Sequence, residues 1–226
     1  MLINANLSER VVLDTSTLFW TPTPIAGIER KTLERDGGEL ARWTSLVRYG
    51  ADTIYAPHQH GGGEELFVLE GTLSDEYGDY PAGSYVRNPP GSRHRPFSRT
   101  GCTLLVKLCQ IADDDRARVV IETNRREWRA YPGPPGLDVI PLHTHGRERV
   151  MLLRWGADVT YPAHGHIGGE ELFVLEGSLS DEFGTYGAGT WVRSPVGSGH
   201  TPFSREGAVI LTKFGHLLVT KEEAKV

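Results

Sequence analysis

The sequence is poor in sulfur, with two cysteines and two methionines in 226 residues. Two thiols can form at most one bridge, so no cystine framework staples this chain. Even that bridge is not expected, because Cys102 and Cys109 lie seven apart on what reads as one strand, where an odd spacing sends side chains to opposite faces. There is no cationic excess either. The chain carries 24 Lys and Arg against 29 Asp and Glu, a formal charge of -5, which excludes the basic footprint of a nucleic-acid or anionic-lipid binder. No apolar run approaches the ~18 residues of a membrane span. The opening Met-Leu-Ile-Asn-Ala-Asn-Leu-Ser-Glu-Arg lacks the basic and apolar segments of a secretory signal. With unpaired thiols and no export signal, a cytoplasmic location is expected. Long helical runs are missing as well. What is abundant is turn chemistry, with 27 Gly and 14 Pro, the punctuation of many short strands.

The strongest positive signal is a duplication. Tyr55 to Leu108 aligns without a gap to Tyr161 to Phe214, and about 34 of those 54 positions are identical. Gly-Glu-Glu-Leu-Phe-Val-Leu-Glu-Gly begins at Gly63 and again at Gly169. Two domains are therefore expected, 1–112 and 113–226, with the polar Asp113-Asp114-Asp115 at the junction. Residues 1–20 have no clear counterpart, though Val11-Val12-Leu13-Asp14 could form an edge strand. Within each repeat, short apolar runs alternate with Asp-Glu-Tyr-Gly, Pro-Ala-Gly and Pro-Pro-Gly turns. Such regular spacing predicts an all-β sandwich or barrel. Asp75 and Asp181 open the Asp-Glu-aromatic-Gly turns, and a turn residue of that type is expected to face water.

Histidine carries the chemistry. His58 and His60 are two apart, so on a strand they share one face, and Glu64 has the same parity. His94 follows after Pro89-Pro90-Gly91-Ser92, and the second half repeats the set as His164, His166, Glu170 and His200. The spacing survived while neighbours drifted, Gln59 to Gly165 and Arg93 to Gly199. Imidazole nitrogens with one carboxylate oxygen suit a borderline divalent ion. Two such ions per chain are expected, zinc first, with iron, manganese, nickel and cobalt as alternatives.

These residues resemble the cupin superfamily. Its first motif is matched by His58-Gln59-His60, Glu64 and Gly71 and by His164-Gly165-His166, Glu170 and Gly177. The second is matched by Gly83, Pro89, Gly91 and His94 and by Gly189, Pro195, Gly197 and His200, with Ser98 and Ser204 where the motif usually closes on Asn. The resemblance implies a bicupin, two jelly-roll antiparallel β-barrels in tandem. The wording of the repeats is similar to the cupin domain of ChrR-type anti-sigma factors, which carry zinc on this His-Glu-His set. It is also similar to acetylacetone-cleaving dioxygenases, which hold ferrous iron mainly by histidines and need not use the acidic residue. The ChrR family binds its sigma factor through a separate Cys-x-x-Cys zinc domain, and no such motif precedes the first repeat. Sigma binding is therefore not expected, nor is a nucleic-acid or membrane partner. A small-molecule ligand and a homodimer are the expected partners. The functional expectation is a metal-dependent sensing or ligand-binding protein. The alternative is an Fe(II) dioxygenase acting on a β-diketone or aromatic ketone. No catalytic residue is identifiable.

Other repeated charges read as ordinary surface features. Glu65 and Glu171, of opposite parity to the ligands, are expected to form an ion pair or edge contact. Arg48, Arg154, Arg87, Arg193, Lys107 and Lys213 are expected at exposed strand positions or paired with Glu70 or Glu176. His143-Thr144-His145 has no Glu at ligand spacing and reads as a hairpin.

Overall fold

The computed structural model describes residues 1–38 and 41–217. Among them there are two short 3-10 turns and no α-helix, so no helix is long and apolar enough to cross a membrane. The chain divides into two compact units. The first comprises Met1–Ala5 and Leu18–Arg126, the second Asn6–Thr17 and Glu127–Val226. The duplication cuts the chain once, near residue 112, whereas the compact units place residues 113–126 in the first unit and Asn6–Thr17 in the second.

In the first unit the main sheet runs, in spatial order, Leu2–Ile3, Ile28–Asp36, Trp43–Tyr49, Cys102–Leu108, Glu64–Asp75, Ser84–Asn88 and Val119–Glu122, with every pairing antiparallel. Glu64–Asp75 spans 12 residues and serves two sheets. Its first part pairs with Cys102–Leu108, and its end pairs with Gly78–Pro81 through a two-residue hairpin. A register shift between Thr103 and Leu104 lets the pair bend there. Gly71 sits at that corner with φ of +71°, and a Cβ added to it would lie 2.1 Å from the Gly101 carbonyl oxygen. The motif glycine is thus a packing requirement. Gly177 repeats it, with the Gly207 oxygen at 2.1 Å.

Alternation sorts the side chains. Leu66, Val68, Val86, Leu104, Val106, Val47, Tyr49 and Ile28 fill the interior of the first barrel. Each such side chain contributes about 1.5–3 kcal/mol by leaving water. The second unit repeats the plan with Leu172, Val174, Val192, Ile210, Leu153, Trp155 and Leu137. Its sheet runs Arg129–Ala130, Leu137–His145, Glu148–Trp155, Ala208–Phe214, Glu170–Asp181, Thr190–Ser194 and Val11–Asp14. The suspected N-terminal edge strand is real, and it lies at the edge of the second unit's sheet. Val11 is opposite Arg193 there, as Val119 is opposite Arg87 in the first unit. Both cysteines are free.

The outer faces of these strands are less polar in their surroundings than their sequence suggests. Arg87 and Arg193 have no exposed surface, and Lys107 and Lys213 are buried too. Arg87 pairs with Glu65 and, at 2.7 Å, with Asp115. Lys213 pairs with Glu148 at 3.2 Å. Arg193 donates to the Asn6 carbonyl at 2.8 Å. Arg48 and Arg154 do form partly exposed pairs, but with Glu29 and Asp138, not with Glu70 or Glu176. The expectation of surface charge is corrected accordingly. Both faces of the central strands are covered, so a cation there must find an acceptor. Glu65 and Glu171 behave as read, Glu171 accepting from Trp191 Nε1 at 3.3 Å and His216 Nε2 at 2.9 Å.

Candidate metal centres

Each His-x-His segment pairs with the segment that bears the third histidine. His58–His60 lies antiparallel to Ser92–His94, with His94 opposite His58. His164 lies opposite His200 in the same way. The two-residue period puts His58 and His60 on one side of this ribbon. The Pro-Pro-Gly turn brings the third ring round to them, through hydrogen bonds such as Gly91 N–H to the His60 carbonyl at 2.8 Å. Within each set of three histidines, one ring nitrogen from each lies within 4.8 Å of the others, a grouping that could hold a metal ion.

Glu64 starts the long strand and faces inward like Leu66 and Val68. Its Oε2 is 3.5 Å from His60 Nε2 and 3.6 Å from His94 Nε2. In the second unit Glu170 Oε2 is 3.4 Å from His166 Nε2 and 3.7 Å from His200 Nε2. All eight residues singled out in the sequence therefore come together, four in each unit. Two of the three histidine rings in each set lie directly beside the carboxylate.

The rings are oriented by what holds their other nitrogen. His58 Nδ1 is 3.0 Å from the Ala56 carbonyl, and His164 Nδ1 is 3.0 Å from that of Pro162. His94 Nδ1 is 3.2 Å from Asp75 Oδ2, and His200 Nδ1 is 3.0 Å from Asp181 Oδ2. Each of these acceptors takes the Nδ1 proton, so in the neutral ring the lone pair lies on Nε2, the nitrogen turned toward the centre.

A cation fits this arrangement. In the second unit His166 Nε2, Glu170 Oε2 and His200 Nε2 are buried and have no hydrogen-bond partner. Orphaned polar atoms cost roughly 1–3 kcal/mol each, and one ion would satisfy all three. In the first unit His60 Nε2 and His94 Nε2 are 3.0 Å apart. Adjacent ligands at ~2.1 Å from a divalent ion are separated by about 3.4 Å in a tetrahedron and about 3.0 Å in an octahedron. Burial pushes the His166 imidazole down to about 4 and lowers His60 as well, so both rest as neutral bases. Burial also pushes the Glu170 carboxyl up. It opposes ionisation of Glu64 too, but there His60, His94 and a hydrogen bond from Asn88 at 3.0 Å prevail and hold the carboxyl low. The second repeat has Ser194 opposite Glu170 where the first has Asn88 opposite Glu64.

A cavity of about 500 Å³ opens on the second centre. Tyr131, Leu137, Trp155, Tyr161, Ile210 and Phe214 wall it, and His164, His166, Glu170 and His200 reach its surface. That size suits a small organic ligand.

One set of functional residues escaped the sequence reading. Asp75 and Asp181 are buried, not solvent-facing. Each accepts from the third histidine and from a tyrosine hydroxyl, Tyr80 at 2.8 Å and Tyr186 at 2.5 Å. Their retention in both repeats was the available signal, but Asp in a hairpin gives a local reason for the same observation. His143 and His145 lie at the end of the Leu137–His145 strand and form the expected hairpin with Glu148–Trp155; neither belongs to a histidine triad.

The family model of the ChrR cupin-like domain matches the chain twice, over residues 8–112 and 116–218. The chain belongs to the ChrR cupin-like family. A sequence search of curated proteins found no match. Among solved structures, a candidate dioxygenase from Nostoc punctiforme PCC 73102 superposes with a TM-score of 0.77 at 15% identity, covering 94% of this chain and 85% of that one. Protein YlbA from E. coli gives 0.71 at 16% identity, covering 94% and 93%. The oxalate decarboxylase of Lactobacillus farciminis gives 0.65 at 12% identity, covering 92% and 86%. At these identities the likeness concerns the cupin fold. This family member is a bicupin with two candidate metal-holding histidine triads.

Proposed function

We propose that this bicupin holds one divalent ion per repeat and binds a small ligand over it, acting as a metal-dependent sensing or ligand-binding protein. The observation that supports this best is the trio of buried atoms without a hydrogen bond, His166 Nε2, Glu170 Oε2 and His200 Nε2, beside a cavity of about 500 Å³. His58, His60, His94 and Glu64 would hold the first ion, and His164, His166, His200 and Glu170 the second, zinc being the first candidate. A bound ion supplies Lewis acidity toward a ligand oxygen. The chain itself positions the rings through Asp75 and Asp181, and in the second unit aromatic and aliphatic side chains wall the cavity over the centre. Nothing in this reading involves a sigma factor.

Metal content per chain, measured after anaerobic purification, tests it. The expected values are two ions in the parent, one in the His58→Ala/His60→Ala double variant and one in the His164→Ala/His166→Ala double variant. An unchanged stoichiometry in both variants would overturn the assignment. The second reading, an Fe(II) dioxygenase, draws on the room left in the cavity beside the four side chains and on the Nostoc relative's name. Oxygen uptake by iron-loaded protein that depends on added acetylacetone would favour it over binding alone.

A further inference from the structure

The two barrels place their arginines at different inner positions. Arg30 lies on Ile28–Asp36 opposite Val47. Ile28, two residues away, and Val47 both belong to the core of the first barrel, so alternation directs Arg30 inward as well. At the matching register of the second barrel, Val139 lies opposite Leu153 and packs on that core. An arginine among interior aliphatic positions is costly without a partner. Among the described residues its guanidinium makes no hydrogen bond or ion pair, and its Nε is buried and unpartnered. What holds it is Trp43, over whose ring the Arg30 guanidinium stacks at 3.9 Å, with Arg35 at 3.8 Å.

The stacking sets the height of the charge in the barrel. Trp43 is opposite Leu108, and Leu108 is opposite Glu64. The three residues form one row on the inner face, so Trp43 and Glu64 are two strand spacings apart, roughly 10 Å. Arg30 thus carries its guanidinium from a lower row up to the level of the first metal centre. Burial and the neighbouring Arg35 lower its pKa, against the pull of Tyr55, Tyr49 and Glu64. The second barrel is built otherwise. Arg149 takes the place of Trp43; it lines the second cavity with Arg147, and its Nη1 donates to the Gly146 and Glu148 carbonyls at 2.8 Å.

We infer that the first barrel selects a small carboxylate-bearing ligand, one end at the metal centre and its carboxylate on Arg30. A planar guanidinium fixed by stacking presents a fork that matches a carboxylate. This inference rests on the metal reading above.

The test is calorimetric titration of the zinc-loaded full chain with malonate, and with malonamide as its uncharged twin, with zinc content measured on the same samples. One malonate per chain is expected in the parent and in His164→Ala/His166→Ala, and none in His58→Ala/His60→Ala. Arg30→Val, which copies the second barrel, should weaken malonate at least about tenfold and leave zinc content unchanged. Arg30→Lys, which keeps the charge, should recover part of the loss and guards against a folding defect in the valine variant. Malonate binding that is equal in Arg30→Val and parent, or that survives loss of the first histidine pair, would overturn the inference while leaving the metal reading intact. Absence of zinc from the parent would overturn both.

Discussion

Asp181 Oδ2 accepts from His200 Nδ1 at 3.0 Å, and Asp75 Oδ2 accepts from His94 Nδ1 at 3.2 Å. A carboxylate behind a ligand imidazole fixes its tautomer and raises its basicity, and removing such a partner typically costs 10–100-fold in metal affinity. Asp75→Asn and Asp181→Asn should each weaken one ion by about that factor. The amide retains the shape of the site, so circular dichroism should not change. Competition with a chromogenic chelator would measure both affinities, and unchanged values would remove Asp75 and Asp181 from the metal centre.

The buried charges on the outer strand face make a separate prediction about stability. Arg87 has no exposed surface and joins Glu65 to Asp115. Truncation to Ala would leave two buried carboxylates without their cation, which costs about 3–5 kcal/mol. Arg87→Ala should therefore unfold at much lower urea concentration than the parent. Arg48→Ala, whose pair with Glu29 is partly exposed, should lose at most about 1 kcal/mol.

The corner glycines can be tested in the same assay. At Gly177 a methyl group would meet the Gly207 carbonyl oxygen at 2.1 Å, and φ is +67°. Left-handed backbone costs about 1–2 kcal/mol in a non-glycine residue, and the clash adds about 1–3 kcal/mol of overpacking. Gly177→Ala should lose about 2–5 kcal/mol by this sum. Gly91→Ala should lose only the backbone part, because nothing lies within 4 Å of its added Cβ although φ is +85°.

These residues also show what a sequence can reveal. The His and Glu sets were legible because their spacing is a local property of one ribbon and one strand, repeated twice. Gly71 and Gly177 were legible as motif positions, but the carbonyl that requires them lies 30 residues away. Arg87 was misread because period-two alternation marks two faces without saying that both are covered. Asp75 and Asp181 were misread because a hairpin explains an aspartate just as well as a histidine partner does. Arg30 gave no signal at all, since its meaning comes from the contrast with Val139 across two aligned registers.

Arg10 extends this argument to long range. It lies just before the Val11–Asp14 edge strand, and its guanidinium reaches Asp181 Oδ2 at 2.9 Å and the Tyr186 hydroxyl at 2.7 Å. The oxygen that supports His200 is therefore shared with a cation. In the first unit Arg118 reaches the Tyr80 hydroxyl at 2.8 Å, and Asp75 Oδ2 is left to His94. Sharing weakens the pull of Asp181 on His200, and the extra positive charge opposes a second cation nearby. Both effects act in one direction, so the second centre should be the weaker of the two in the parent. Arg10→Met should raise its affinity by about 5-fold, as expected for ~1 kcal/mol of relieved repulsion at a high effective dielectric. Arg118→Met should change the first centre less, because a tyrosine stands between that arginine and the carboxylate. Stepwise metal titration of the two variants, each combined with the double histidine variant that removes the other centre, measures the difference. Equal affinities in parent and Arg10→Met would mean that Arg10 serves only to anchor the edge strand.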